Sequence, residues 1–332
     1  MPDHPLPRHP LPRRRVLSAA VALAALGASA PAGAQPFPAR PVRFVVPFPG
    51  GFTDTLARMV GQKMADALGQ PVLVENRPGA SGAIGAQEVL RAPADGHAMF
   101  LGHIGTHALN PHLQAKLAYD PAELVPVTLL VQLPNLLVAS PTLPVQSVQE
   151  LVALARGKPG ELSYASPGNG TSGHLAAELL KAQAGVNLVH VPYKGTAEAL
   201  QDLGSGRVQL MFDTVAQGLA QSKAGRVKAL AVTSPQRTPL APEVPTMAES
   251  GFPGWDTAAW FGVMVRAGTP PEAVARLHAE AVRALTAPDV RDRLVGMGAT
   301  PVGNAPAAFA RFVAEESARW GEVIRRAGIK AD

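Results

Sequence analysis

Short β-branched runs alternate with longer stretches of helical periodicity along most of this chain, which confines it to an α/β fold on mainly parallel strands. In the first third, residues 42–46, 72–75 and 98–101 read as strands. Between the first two, Leu56, Met59, Val60, Met64, Ala67 and Leu68 recur at helical spacing until Gly69 stops the pattern. A second helix is expected over 83–91, ending before the turn signal Pro93-Ala94-Asp95-Gly96. The middle repeats the alternation: strand 162–165, helix 174–184, strand 188–191, helix 196–203, and strands 208–212 and 228–232. The end is helical. Thr269-Pro270-Pro271-Glu272 has the form of a capping box with Pro at the first helical position. Val274, Leu277, Ala281 and Leu285 follow as one apolar stripe, and Phe309, Phe312, Val313, Trp320, Val323 and Ile324 as another.

Two extended apolar segments, 135–139 and 258–265, have no helix of their own and read as strands that cross between two lobes. That makes lobe 1 discontinuous, 35–138 plus 262–332, with lobe 2, 139–261, inserted in it. Two sequential domains are the alternative, and composition does not decide between them.

The first 34 residues read as a signal peptide and stand apart from the fold. Arg13-Arg14-Arg15 precedes an Ala-rich apolar stretch too short for a convincing membrane span, and Ala32-Gly33-Ala34 forms a cleavage signal before Gln35. The paired arginines fit a twin-arginine signal, with an ordinary secretory signal as the alternative. Export to a periplasm is expected. The full chain carries 30 Lys and Arg against 25 Asp and Glu; without Arg8, Arg13, Arg14, Arg15 and Asp3 the balance is 26 against 24. The precursor's basic character is therefore no argument for nucleic acid, and no Lys/Arg run with interleaved aromatics follows. With no cysteine there is no disulfide, thiolate nucleophile or Cys-ligated metal, so stability must come from burial.

Glycine-rich turns open helices at two separated places. Pro47-Phe48-Pro49-Gly50-Gly51-Phe52-Thr53-Asp54 follows the first strand, and Ser166-Pro167-Gly168-Asn169-Gly170-Thr171-Ser172-Gly173-His174 follows the strand at 162–165. A helix start exposes unpaired N–H groups and a partial positive charge, so each turn is a candidate anion seat. Gly50 and Gly51 let a ligand approach the backbone. Thr53 can cap the helix or donate to a ligand. Asp54 repels an anion unless it organises its loop or meets an ammonium group. Phe52 is a pocket wall or a lid, and an aromatic wall suits an aromatic or apolar-tailed acid. His103 and Thr106 follow the strand at 98–101 and are further cleft candidates.

The chain resembles the tripartite tricarboxylate transporter substrate-binding proteins, or Bug receptors, over essentially its whole length after the signal. The resemblance is carried by Pro49-Gly50-Gly51-x-x-Asp54, Val74-Glu75-Asn76-Arg77-Pro78-Gly79-Ala80, Pro93-x-Asp95-Gly96 and Tyr119-Asp120. Further on it is carried by Tyr164-Ala165-Ser166 with Gly170-Thr171 and His174, by His190-Val191-Pro192-Tyr193-Lys194-Gly195, and by Gly268-Thr269-Pro270. It implies a type II, Venus-flytrap receptor with two mainly parallel sheets flanked by helices and a two-strand hinge. It also implies closure on a small carboxylate held by backbone amides and hydroxyls. Carried over, the first-lobe contacts fall on Gly50, Gly51, Phe52, Thr53 and Asp54. The second-lobe contacts fall on Ser166, Gly168, Gly170, Thr171 and His174, with Asp213 as a further candidate. The family commonly has one more residue before Gly50, and a small residue where this chain has Phe52. The implied partners are membrane transporter subunits or a sensor-kinase ectodomain; no nucleic acid, cofactor or metal is implied, and a monomer is expected.

Competing motifs carry less. Residues 168–173 match G-x-G-x-x-G, but the strand after the helix leads into Val191-Pro192-Tyr193-Lys194, with no acidic residue for ribose hydroxyls. An exported NADP-dependent oxidoreductase is the alternative this leaves. His97, His103, His107 and His112 lack metal-site spacing, and no Gly-x-Ser-x-Gly elbow supports a hydrolase, so a non-enzymatic receptor is expected.

Overall fold

In the computed structural model, which describes residues 37–114 and 116–327, the first β-branched run is strand β1 (Val42–Val46). The signal peptide read at 1–34 lies outside the described residues. β1 pairs in parallel with β2 (Val72–Asn76) on one side and β3 (Ala98–His103) on the other. Helix α1 (Gly51–Leu68) joins β1 to β2 and buries Leu56, Val60, Met64 and Leu68 of the expected stripe together with Ala57, while Met59 and Ala67 stay half-buried. Gly69 ends it in the left-handed conformation, φ 67°, its N–H donating to the Ala65 carbonyl. Helix α2 (Ala83–Arg91) occupies the expected residues. After β3 the chain makes a π-turn over Gly105–Leu109 and a short helix α3 (Asn110–Leu113).

Strand β4 (Leu124–Ala139) is 16 residues long, far longer than the 135–139 segment expected. Beyond it come α4 (Val148–Gly157), β5 (Ser163–Ser166), α5 (Ser172–Ala184), β6 (Val189–Pro192), α6 (Thr196–Ser205), β7 (Leu210–Thr214), α7 (Val215–Lys223) and β8 (Lys228–Val232). β5 pairs in parallel with β6 and β7. The chain returns as β9 (Ala258–Arg266) and closes with α8 (Pro271–Thr286), α9 (Pro288–Gly296), β10 (Thr300–Pro301) and α10 (Pro306–Ala327).

The expectation of mainly parallel sheets needs correcting. Four strand pairings are parallel and five antiparallel, and the antiparallel ones are those made by β4 together with the β3–β9 pair. The parallel pairs belong to strand–helix–strand units, whereas β4 and β9 enter the sheet from long connections and run against their neighbours. The two halves are also one hydrogen-bonded path, β2-β1-β3-β9-β4-β7-β5-β6. β4 makes it continuous, pairing with β9 over 124–134 and with β7 and β8 over 135–139.

The second segment read as a crossing strand is β9, whose partners among the described residues are β3 and β4. Just before it, Thr233 joins the two passages of the chain. Its N–H donates to the Asn135 carbonyl at 2.8 Å, and its Oγ1 accepts from the Asn135 N–H at 2.8 Å and donates to the Thr257 carbonyl at 2.5 Å. The Thr257 N–H donates back to the Thr233 carbonyl at 3.3 Å.

Along the end of β4 the side chains alternate between two cores. Leu137 and Ala139 pack with Tyr164, Leu180 and Trp255, and Leu136 and Val138 with Leu203, Met211 and Val215. Phe309, Trp320 and Ile324 of α10 close a third core against Phe100 and Trp260. The capping box is not formed: Pro270 is the N-cap of α8, and the Thr269 hydroxyl donates to the Arg266 carbonyl at 2.7 Å. No helix among the described residues is long and apolar enough to cross a membrane.

Candidate functional site

The C-terminal ends of β1, β3, β5 and β7 carry the candidate residues, the edge where α/β sheets commonly hold ligands. After β1, Gly50 takes φ 68° and Gly51 φ 65°, conformations that disfavour any side chain, and α1 starts with no side-chain cap. Both glycines are exposed. The Thr53 hydroxyl is not a cap. It turns back to the Phe48 and Gly50 carbonyls at 3.3 and 3.4 Å. Asp54 accepts from Arg58 at 2.8 and 3.1 Å and from Asn76 Nδ2 at 2.9 Å, and the guanidinium holds its carboxyl below the usual carboxylate range. Asp54 therefore organises the loop. Arg77 turns outward to Glu75 at 3.1 Å.

The second turn is built around its own hydroxyls. Thr171 caps α5, accepting from the His174 N–H at 3.4 Å while donating to the Gly168 carbonyl at 2.8 Å. Ser166 Oγ accepts from the Gly168 N–H at 3.2 Å and lies 2.7 Å from His190 Nε2. Gly168 and Gly170 have φ 137° and 73°. Gly173 sits directly against the Phe212 carbonyl, so α5 starts in backbone contact with β7. His174 is buried, its ring 4.4 Å from that of His190.

A third loop, 79–82, joins the halves. All four residues have positive φ (122°, 47°, 53° and 94°), a left-handed run that is strained at Ala80 and Ser81 by ~1–2 kcal/mol each. Ser81 Oγ donates to the Asn169 carbonyl at 3.4 Å, and Asn110 Nδ2 donates to the Ser81 carbonyl at 2.9 Å. Gly105 approaches so closely that a Cβ there would lie 2.7 Å from the Gly170 carbonyl oxygen. The turn after β3 and the turn after β5 are thus in contact.

Asp213, Asn135 and His103 are buried and each keeps an unsatisfied polar atom. Asp213 is 3 % exposed; its Oδ1 accepts from the Thr214 N–H at 2.8 Å and its Oδ2 has no partner among the described residues. Burial pushes its carboxyl up to about 7, so it holds a proton through the acidic range and does not repel an anion there. Asn135 accepts from Ser172 Oγ at 3.4 Å, while its Nδ2 has no partner among the described residues. Asn135 is opposite Thr214 and Leu136 opposite Asp213, which places Asn135 and Asp213 on opposite faces of the strand pair. His103 Nδ1 accepts from the Gly105 N–H at 3.0 Å, which puts the ring proton on Nε2, and that atom too has no partner among the described residues. Phe48 lies edge-on to His103 at 5.0 Å, Phe261 lies 6.3 Å from it, and Phe52 lies 5.5 Å from Phe261. The other histidines do not converge: His97 lies beside Asp95, His107 against Thr106, and His112 against Ser317. No group of three His, Cys, Asp or Glu side chains suited to a metal occurs among the described residues.

The family model for the tripartite tricarboxylate transporter family receptor matches residues 56–329. The chain belongs to that family. It is 43% identical over 291 residues to a UPF0065 protein of a Pseudomonas species, covering 87% of this chain and 86% of the relative. Among solved structures it is similar to an R. palustris protein with adipate, at TM-score 0.83 and 41% identity over 89% of this chain and 99% of that one. It is also similar to MatC from Rhodopseudomonas palustris with bound malate, at TM-score 0.80 and 40% identity over 87% of this chain and 100% of that one.

In this receptor the two glycine turns open helices as the sequence indicates, although α5 starts at Ser172 and β7 runs two residues later than expected, so that Asp213 ends the strand. Thr106 is buried and its hydroxyl is engaged by His103 and His107, so its polar atom is turned into its own loop. Sequence reasoning missed Ser81, Asn110, Asn135, Phe48 and Phe261 at the site. Asn135 and Phe261 lay inside segments read as plain strands, and Ser81 inside a loop read only as a motif. Concavities of about 320 Å³ beside Val282 and Val302, and about 250 Å³ beside Ser147 and Glu243, share no residue with the site.

Proposed function

We propose that the protein is an exported, non-enzymatic receptor that captures a small carboxylate between two lobes and presents it to a tripartite transporter in the membrane. The lobes are 35–138 with 262–332, and 139–261, joined where Thr233 ties the two passages together. The observation that carries this reading is that loops beside the first glycine turn reach the second: Ser81 and Gly105 lie against the 166–174 turn, and Gly82 lies against Pro47 at the start of the first. Gly50 and Gly51 at the start of α1 and Ser172 and Gly173 at the start of α5 offer backbone N–H groups there, while the Gly168 and Gly170 N–H groups are held by Ser166 Oγ and His174 Nδ1; among the described residues no Lys or Arg side chain is hydrogen-bonded to either turn except Arg58 on Asp54. Such donors suit a carboxylate shielded from water, where charge-assisted hydrogen bonds are strong. Family membership and the relatives' adipate and malate support the same reading.

Phe52, Thr53, Asp54, His103, Thr106, Ser166, Thr171, His174 and Asp213 complete the proposed lining, Thr53, Asp54 and Thr106 by shaping the turns. Closure is then a population shift driven by contacts the ligand makes with both turns at once. A thermal-shift screen of the chain from Gln35 with malate, adipate, citrate, amino acids and aromatic acids tests this. Ligand at a hundred times its dissociation constant stabilises by ~2.7 kcal/mol, a rise of about 4 °C for a protein of this size. Absence of a rise with every acid at millimolar concentration overturns the proposal.

A further inference from the structure

The first turn of α1 carries an aromatic side chain, and the structure gives that side chain company. Phe52 packs at 5.5 Å against Phe261 of β9, and Phe261 lies 6.3 Å from His103, which Phe48 meets edge-on at 5.0 Å. The rings come from four separate places: the β1–α1 turn, α1, the end of β3 and the start of β9. Phe48 and Phe52 are half-buried beside the exposed Gly50 and Gly51, while Phe261 and His103 form the buried back of the group.

At that back is an unused donor. The Gly105 N–H occupies His103 Nδ1, so the proton is on Nε2, and Nε2 is unsatisfied although the residue is only 4 % exposed. A buried N–H without an acceptor is costly, a cost a ligand acceptor would remove. Gly82 packs beside it, where a Cβ would lie 3.3 Å from Nε2, 3.3 Å from Pro47 Cβ and 2.7 Å from Thr106 Cγ2, so a larger residue would crowd the ring. Burial and the neighbouring His107 hold the His103 ring neutral, with its pKa lowered to about 3, so the donor is present throughout the neutral range.

We propose that Phe48, Phe52, Phe261 and His103 form a specificity subsite for carboxylic acids that carry an aromatic ring, with His103 Nε2–H donating to an acceptor on that ring. The inference rests on the carboxylate-receptor reading above. The carboxylate lies at the Gly50–Gly51 turn, and the ring slots among the phenylalanines, where offset or edge-on contacts and apolar burial favour it over a flexible chain. Phe52 can part from Phe261 without breaking a hydrogen bond.

Titration calorimetry with benzoate, 4-hydroxybenzoate, adipate and malate on the chain from Gln35 tests this. The aromatic acids should bind about tenfold more tightly than adipate or malate, with 4-hydroxybenzoate ahead of benzoate. Phe52→Gly should remove most of the aromatic preference, weakening the aromatic acids at least about threefold more than adipate or malate. Phe52→Leu, which keeps apolar bulk, should fall between the two. His103→Phe should erase the advantage of 4-hydroxybenzoate while benzoate still binds, and circular dichroism melts establish that each variant is folded. Failure of all four acids to bind overturns the carboxylate reading and the subsite with it. Adipate or malate binding at least as tightly as the aromatic acids, or an equal loss of all acids in Phe52→Gly, overturns the subsite alone.

Discussion

Asp213→Asn should stabilise the ligand-free protein, and by an amount that grows with pH. The side chain is 3 % exposed, one oxygen accepts from the Thr214 N–H, and the other has no partner among the described residues. Asn keeps the shape and the acceptor for Thr214 but carries no titrating group. Burial moves the carboxyl from 3.8 to about 7 in the fold. Between those values the native protein holds a proton that the unfolded chain has released, so native stability falls as pH rises through this window and levels off above about 7. At ~1.4 kcal/mol per pH unit the accumulated cost is ~4 kcal/mol by pH 8. About 290 described residues imply an unfolding entropy of ~0.6 kcal/mol per kelvin, so the cost corresponds to ~6 °C in Tm. Thermal melts of both proteins at pH 4, 5, 6, 7 and 8 give the difference in Tm directly. Every other titrating group is common to the pair and cancels. The difference should be near zero at pH 4 and open toward ~6 °C at pH 8. A constant difference across the series, or a less stable variant at pH 8, refutes the argument that a desolvated carboxyl is stored at this strand end.

Thr233→Val should remove the hydroxyl that joins the two passages, leaving the buried Asn135 N–H and Thr257 carbonyl without it. The expected loss is ~2–4 kcal/mol in urea unfolding, with Thr233→Ser close to wild type; equal midpoints for Val and wild type contradict it. Gly173→Ala places a methyl on the Phe212 carbonyl, and backbone cannot yield as a side chain can. It should cost ~1–3 kcal/mol and weaken ligand binding, whereas Gly157→Ala, which meets nothing within 4 Å, should be neutral or slightly stabilising.

Strand and helix positions were legible wherever one period dominated. The stripe from Leu56 to Leu68 and the left-handed stop at Gly69 are local facts, and α2 and β8 fall on the residues the pattern marks. The direction of strands was not legible, because an apolar run is the same read parallel or antiparallel. Pro126 and Pro134 make a strand over 124–134 hard to read from the sequence. In the structure the register of β4 against β9 shifts between Pro126 and Thr128, so the strand passes Pro126 at an irregularity instead of ending there. The capping box failed for a related reason. Thr269 has a closer acceptor in the Arg266 carbonyl, a contact the four-residue pattern does not contain.

The site shows the same division at the level of side chains. Glycines with positive φ can be read from sequence, since only the turn geometry explains them, and Gly50, Gly51, Gly168 and Gly170 all have it. The destination of a hydroxyl cannot be read so. Thr53, Ser166, Thr171 and Thr106 carry the same chemistry in the sequence, yet each bonds within its own turn, because the nearest carbonyl or imidazole lies there. What those bonds leave over is informative: Asp213 Oδ2, Asn135 Nδ2 and His103 Nε2, three atoms from β7, β4 and β3 with no partner among the described residues. None belongs to a cation. A fold that bound an anion by charge would put Lys or Arg on these strands; this one has backbone N–H groups, a neutral imidazole and a carboxyl held protonated below about 7. In the proposed receptor, recognition by neutral groups would depend on their placement, and the 79–82 loop, strained at Ala80 and Ser81 and tied to Asn110 and Asn169, links the turns that carry them.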